Sequence, residues 1–319
     1  MIVHAKSNTD ISVKNYKIWP DSRNSRISQI VIDADALNQF CESASVEELN
    51  YGLLDAFKYV PFAKRELSRL LLTFLGESFK DDVLSVLQDY EKGGLIVNLQ
   101  ALPNLKHRLW FITALSFLIG NPRSDANGSH LAHFEMTDLR KDDPPLLNPY
   151  FILPFHTDGT FFEGDTDWIL MLKTIEEEVI GGESNLLHLE DWAEWERFKQ
   201  HKLANHRFIF RGPSNSDYRR KDIGSRGDTG EVERPFFFTH LDNSAFRFTF
   251  QWVHPRNTEE AKFIRDMHIS LMHEMKLNVF PLAVNELYCI NNRIWLHGRL
   301  SMQPSNNLRR EAYRIIGSF

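Results

Sequence analysis

The apolar residues of this chain change period partway along, and that change limits the folds open to it. Through the first part they recur at helical spacing. Windows 46–59 (Leu49, Leu53, Leu54, Phe57), 65–75, 81–90 and 105–119 each predict an amphipathic or buried helix. Asp81-Asp82 favours the N-terminal end of the third, and Gly120-Asn121-Pro122 stops the fourth. One short apolar run, 94–99, follows a Gly-Gly turn and predicts a buried strand. From about Ser129 short strand-like runs take over, at 131–136, 168–174, 184–189, 207–211, 235–240, 246–252, 286–291 and 312–318. Only two helices, 190–201 and 258–275, interrupt them. Many short strands with few inserted helices predict a sandwich or jelly roll. The expected layout is one domain over 1–319: a mostly helical part, 1–128, packed on a jelly-roll core, 129–319. The polar stretch 212–233 is expected to be an insertion in that core, with the length and composition of a lid.

Composition narrows the function. The formal net charge is −6, which gives no reason to expect a nucleic-acid partner. No apolar run approaches the length of a membrane span, and Met1 to Lys6 lacks the apolar core of a signal peptide. Cys41 and Cys289 are the only cysteines, so a disulfide framework is not expected and a reducing cytoplasm fits.

Two separated stretches carry chemistry: His156-Thr157-Asp158 and Trp295-Leu296-His297-Gly298-Arg299. On a strand, a His-x-Asp pair places both side chains on one face. With His297 they make two imidazoles and a carboxylate. Such a set can hold one face of a non-haem Fe(II) and leave the other positions for a co-substrate and dioxygen. A chance His-x-Asp is no surprise among 13 histidines and 43 acidic residues. The motif gains weight from its company. Gly181-Gly182-Glu183-Ser184 offers close backbone approach to a small molecule and a hydroxyl donor. Arg314, on the last expected strand, suits a bidentate pair with a carboxylate. Taken alone, each is as well explained by packing or a salt bridge.

In this order the parts resemble the Fe(II)/2-oxoglutarate-dependent dioxygenases of the taurine dioxygenase and clavaminate synthase type, most closely the glutarate 2-hydroxylase (CsiD-like) family. The stretches that carry the resemblance are His156 to Thr160, Gly181 to Trp192, Ile290 to Arg299 and Leu308 to Glu311. It implies a double-stranded β-helix with helical additions and Fe(II) on His156, Asp158 and His297. It implies 2-oxoglutarate as co-substrate, its far carboxylate on Arg314 assisted by Ser184, with O2 as oxidant. It also implies a homo-oligomer, since members are commonly tetrameric. A carboxylate at Asp158 argues for hydroxylation, because halogenating relatives carry a small residue there.

The resemblance also shows a departure. Family members carry Arg-x-Arg on the last strand, whereas this chain reads Arg314-Ile315-Ile316. Asp165 stands where an apolar residue is expected. One cation fewer and one anion more favour a substrate bearing an amine, such as L-lysine, over a dicarboxylate. In that reading Asp165 and Glu163 receive the amine, Ile316 stands in place of the second cation, and Phe161, Phe162 and Trp168 shape the wall. Glutarate hydroxylation is the alternative, with the carboxylate read by another cation such as Arg299 or Arg309. A zinc hydrolase is a rival for the same ligands, and a non-catalytic metabolite-binding jelly roll is another.

Overall fold

The computed structural model describes residues 14–53, 55–125, 128–137, 148–212 and 231–319. Its largest sheet has eight strands. Seven lie in the order Tyr16–Pro20, Ile27–Ile32, Gly94–Asn98, Glu286–Asn291, Trp168–Glu177, Arg309–Ser318 and Asn121–Pro122, and Ala132–Thr137 also pairs with Arg309–Ser318. Only the pairing of Ile27–Ile32 with Gly94–Asn98 is parallel. A smaller antiparallel sheet of Leu153–His156, Trp295–Arg299 and Ser184–His188 faces it. This is the expected jelly roll with helical additions.

Side-chain alternation shows why the central strands read as continuous apolar runs. Trp168, Leu170, Leu172, Leu287 and Cys289 pack among the N-terminal helices. Their alternates Ile169, Tyr288 and Ile290 face the smaller sheet. Both faces of these central strands are therefore covered, and a regular polar alternation does not appear in them. Helices Ala34–Asn50, Pro61–Leu75 and Leu105–Ile119 form the covering layer. Asp33 caps the first by accepting from the Asp35 and Ala36 amides, Pro61 opens the second, and Asn104 caps the third through the His107 amide.

Several expectations need correction. The predicted helix 46–59 is the tail of Ala34–Asn50 followed by a break and a single turn, Ala56–Tyr59. Gly52 at φ +60 ends the first helix, and Leu49 is 80% exposed, so its place in the apolar period marked no buried face. The helical part is not helical throughout, since residues 16–20, 27–32, 94–98 and 121–122 are strands of the main sheet. The predicted strand 246–252 is a hairpin end, Asn243–Phe246, then a 3-10 turn, Phe250–Trp252. The predicted helix 190–201 is a 3-10 turn and the short helix Trp195–Lys199. Of the expected insertion 212–233, residues 231–233 lie in the strand Glu231–Pro235, and 213–230 fall outside the described residues. Among the described residues, no helix is long and apolar enough to cross a membrane.

Candidate active site

His156 ends the strand Leu153–His156, and antiparallel register sets it directly opposite His297 on Trp295–Arg299. The two rings lie 4.1 Å apart, centroid to centroid. Asp158 arrives differently from the expectation. It is not on the strand with His156 but in the turn beyond it. Asn292 holds that turn: its Oδ1 accepts from the Asp158 amide (2.9 Å), and its Nδ2 donates to the carbonyls of Asp158 and Thr166 (3.0 and 2.8 Å). Gly159 makes the turn possible. It sits at φ +74, and a Cβ there would meet Thr166 Oγ1 at 2.1 Å. The outcome is the predicted convergence. His156 Nε2 lies 3.9 Å from Asp158 Oδ1, and His297 Nε2 lies 4.0 Å from Asp158 Oδ2. One ligand atom from each residue falls within 4.8 Å of the others.

The protonation states suit a metal. Burial pushes the His156 imidazolium down, and its Nδ1–H donates to the Pro154 carbonyl at 2.8 Å, leaving Nε2 with its lone pair toward the cluster. Burial, with His156 alongside, pushes His297 down to about 3, so it too is neutral. Burial alone would raise the Asp158 carboxyl. The Arg314 guanidinium beside it overcomes this and holds it below the usual range. Two neutral imidazoles and one carboxylate at a cavity wall form a donor set that fits Fe(II) with open positions.

The cavity, about 170 Å³, lies between the two sheets. Its apolar wall includes Phe161, Phe162, Met171, Trp252 and Ile316. On Arg309–Ser318 the residues facing it are Arg310, Ala312, Arg314 and Ile316. Ser184 is 5% exposed and sits at this cavity as expected, but its partner is not Arg314. Arg310 Nη2 donates to Ser184 Oγ at 3.3 Å, and Arg310 Nη1 donates to the Gly182 carbonyl. Arg314 instead donates to Asp158 Oδ2 at 2.7 Å. Gly181 and Gly182, at φ +78 and +70, serve the chain's own packing rather than a ligand, since a Cβ on either would strike Ser301 or Met302.

Other predicted residues are engaged by the protein itself. The Asp165 carboxylate takes Arg234 (2.6 Å), Arg247 (2.9 Å) and Arg293 (3.2 Å), so its charge is already answered. Glu163 is exposed and does not line the cavity; its carbonyl accepts from Arg234. Arg309 points away from the cavity and pairs with Glu311 and Glu135. Arg299 borders the cavity, but its guanidinium donates to the carbonyls of Asn148, Pro149, Phe151 and Leu300. In the sequence Arg310 and Asn292 stood only as members of the stretches Leu308 to Glu311 and Ile290 to Arg299, without a role of their own, and Tyr288 drew no remark. For Arg310 the signal was there: counting by twos back from Arg314 places 312 and 310 inward and turns 309 outward.

A jelly roll with this His-His-Asp corner defines the class of non-haem iron oxygenases. The chain belongs to the CsiD family, whose model matches residues 16–319. The glutarate 2-hydroxylase of Citrobacter koseri is 28% identical over 321 residues, covering 98% of this chain and 94% of that protein. The glutarate 2-hydroxylase of Klebsiella pneumoniae is 27% identical over 308 residues, covering 95% and 90%. Among solved structures, asparagine oxygenase with Fe(II), 3-hydroxyasparagine and succinate aligns with a TM-score of 0.66 at 13% identity, over 90% of this chain and 92% of that one. The non-haem iron oxygenase OrfP with Fe, succinate and (3S)-hydroxy-L-Arg aligns at 0.64 and 14%, over 89% and 92%.

Proposed function

We propose that this protein is an Fe(II)/2-oxoglutarate-dependent hydroxylase of a short dicarboxylate, with glutarate the foremost candidate. The observation that carries the substrate class is the charge lining the cavity. Among the described residues, Asp158 is its sole acidic side chain, against Arg299, Arg310 and Arg314. Among the described residues no further carboxylate there receives an amine, and Asp165, on which an L-lysine reading depends, is engaged by three arginines elsewhere. Glutarate 2-hydroxylases are also the named relatives over nearly the whole chain.

His156, Asp158 and His297 hold the iron. With 2-oxoglutarate and O2 bound, that centre supplies the oxidation of an unactivated C–H bond to C–OH, with succinate and CO2 as co-products. The protein's own contribution is positional. Arg310 and Ser184 take the far carboxylate of 2-oxoglutarate, where burial strengthens the pairing. Arg314 keeps Asp158 ionised and oriented. The Pro154 carbonyl fixes the His156 tautomer. Phe161, Phe162 and Trp252 keep water from the reacting carbon.

The deciding assay starts anaerobically loaded enzyme with oxygen and follows succinate together with a product one oxygen heavier. Glutarate and L-lysine are run side by side. Coupled turnover of glutarate is expected. Coupled turnover of lysine alone would return the reading to an amino-acid hydroxylase, with Ile316 as the change that matters. Zinc-dependent turnover without 2-oxoglutarate would overturn the reaction class.

A further inference from the structure

Beside the main cavity lies a second, smaller one of about 30 Å³, and the two share Phe162, Arg314 and Ile316 as a common wall. Its far side carries Arg123 and His130. The Arg123 amide donates to the Ile316 carbonyl at 2.8 Å, which fixes Arg123 against the strand that bears Arg314. Its guanidinium lies over the Phe162 ring, 4.3 Å from the centroid. Its one hydrogen bond among the described residues is a long one, 3.5 Å to the Gly164 carbonyl, and no carboxylate of those residues lies within ion-pair distance. The half-buried guanidinium therefore keeps most of its donors unused.

His130 is a second, independent sign. It is 4% exposed, its Nε2 meets Thr113 Oγ1 at 3.0 Å, and its Nδ1 is buried with no partner. A buried polar atom without a partner is costly unless something arrives to meet it. Among the described residues the one acidic side chain lining this cavity is Asp125, which accepts from the Ser129 amide at 2.8 Å and lies in the field of the buried Lys64 ammonium. The volume suits one small polar group rather than a second molecule.

We infer that this side cavity is the subsite for the substrate carboxylate remote from the metal, and that Arg123 reads it. The inference rests on the dicarboxylate reading above. The substrate's carbon chain runs along Ile316 and Phe162, its reacting end faces the His156–Asp158–His297 corner, and its far carboxylate enters the side cavity. A planar guanidinium with free parallel donors is the side chain best matched to a carboxylate. Arg123 is thus a specificity-determining residue with no part in holding iron or 2-oxoglutarate.

The test is an anaerobic titration of the Fe(II)/2-oxoglutarate enzyme, followed by the visible charge-transfer band of that complex as substrate binds. Glutarate is compared with 1-pentanol, which has a five-carbon chain and no carboxylate. Wild type is expected to prefer glutarate, and Arg123→Met to weaken glutarate about 10- to 100-fold while leaving pentanol unchanged. Arg123→Lys should restore part of the preference. An unchanged preference in Arg123→Met, or equal weakening of both ligands, would overturn the subsite. If wild type forms the 2-oxoglutarate band but binds no glutarate, the dicarboxylate reading falls and the subsite with it. If glutarate binds and Arg123→Met is indifferent, the subsite alone falls.

Discussion

Replacing Arg310 with Leu tests the division of labour between the two cavity arginines. Arg310 is 6% exposed and is joined to Ser184 and the Gly182 carbonyl. A carboxylate arriving beside Ser184 would meet a guanidinium already stripped of water. Removing one partner of such a buried charged pair costs about 3–5 kcal/mol, because the remaining charge is left without an answer. At about 1.4 kcal/mol per factor of ten, 2-oxoglutarate affinity should fall from about a hundredfold to a few thousandfold. Ser184→Ala removes one hydroxyl donor to a charged group and should cost about tenfold. Because both touch the same carboxylate, the double variant should lose less than the product of the two. The assay is anaerobic titration of iron-loaded enzyme with 2-oxoglutarate, read by the charge-transfer band, with iron content measured in parallel. Iron should stay bound in Arg310→Leu. If Arg314→Leu lost 2-oxoglutarate and Arg310→Leu kept it, the assignment drawn from the Ser184 contact would be wrong.

Further outcomes follow from the same geometry. His156→Ala should abolish both iron retention and the rise in melting temperature on adding Fe(II) or Mn(II) anaerobically; a preserved thermal shift would remove His156 from the ligand set. Asn292→Ala frees the turn that carries Asp158 and should lower metal affinity about 10- to 100-fold, as loss of a supporting partner does, which equilibrium metal titration would check. Asp165→Ala should lower stability by about 1 kcal/mol at most, a modest figure because the carboxylate is 40% exposed, and should leave the KM for substrate unchanged; a raised KM for lysine would revive the amine reading. Burial depresses His130 to about 3 and His188 to about 4. The unfolded chain takes up those protons near pH 6.5 and the folded chain does not, so stability is full above 6.5 and falls as pH drops below it. Between pH 7 and 5 each should cost about 2 kcal/mol. Urea denaturation should show this, and His188→Gln should remove about half of the pair's contribution.

Much of the site was legible in the sequence because its parts are chemically distinctive. His156, Asp158, His297 and Ser184 were singled out by residue type and order, and the structure brings them to one cavity. What was not legible depended on long-range placement. Asp165 looked available until the fold brought Arg234, Arg247 and Arg293 onto it from distant positions. Arg310 and Arg314 are alike in sequence, and only register against Trp168–Glu177 and the place of Ser184 separate their partners. The N-terminal strands escaped because the run Ile27–Ile32 is interrupted by Ser28 and Gln29 and finds its partner beyond four helices. The helix Leu105–Ile119, by contrast, was read with its observed bounds, its end marked by Gly120.

The strand Arg309–Ser318 inserts between Trp168–Glu177 and Ala132–Thr137, both far earlier in the chain. During folding those two strands must wait, edges unpaired, for a segment more than a hundred residues downstream. Pairings so remote close slowly. That same segment brings Arg310 and Arg314 together. Refolding should therefore recover helical signal and collapse first, and competence to bind 2-oxoglutarate only when this strand locks in. The co-substrate becomes a stopwatch for the final closure of the sheet, and a saturating supply of it should hold the closed form against reopening.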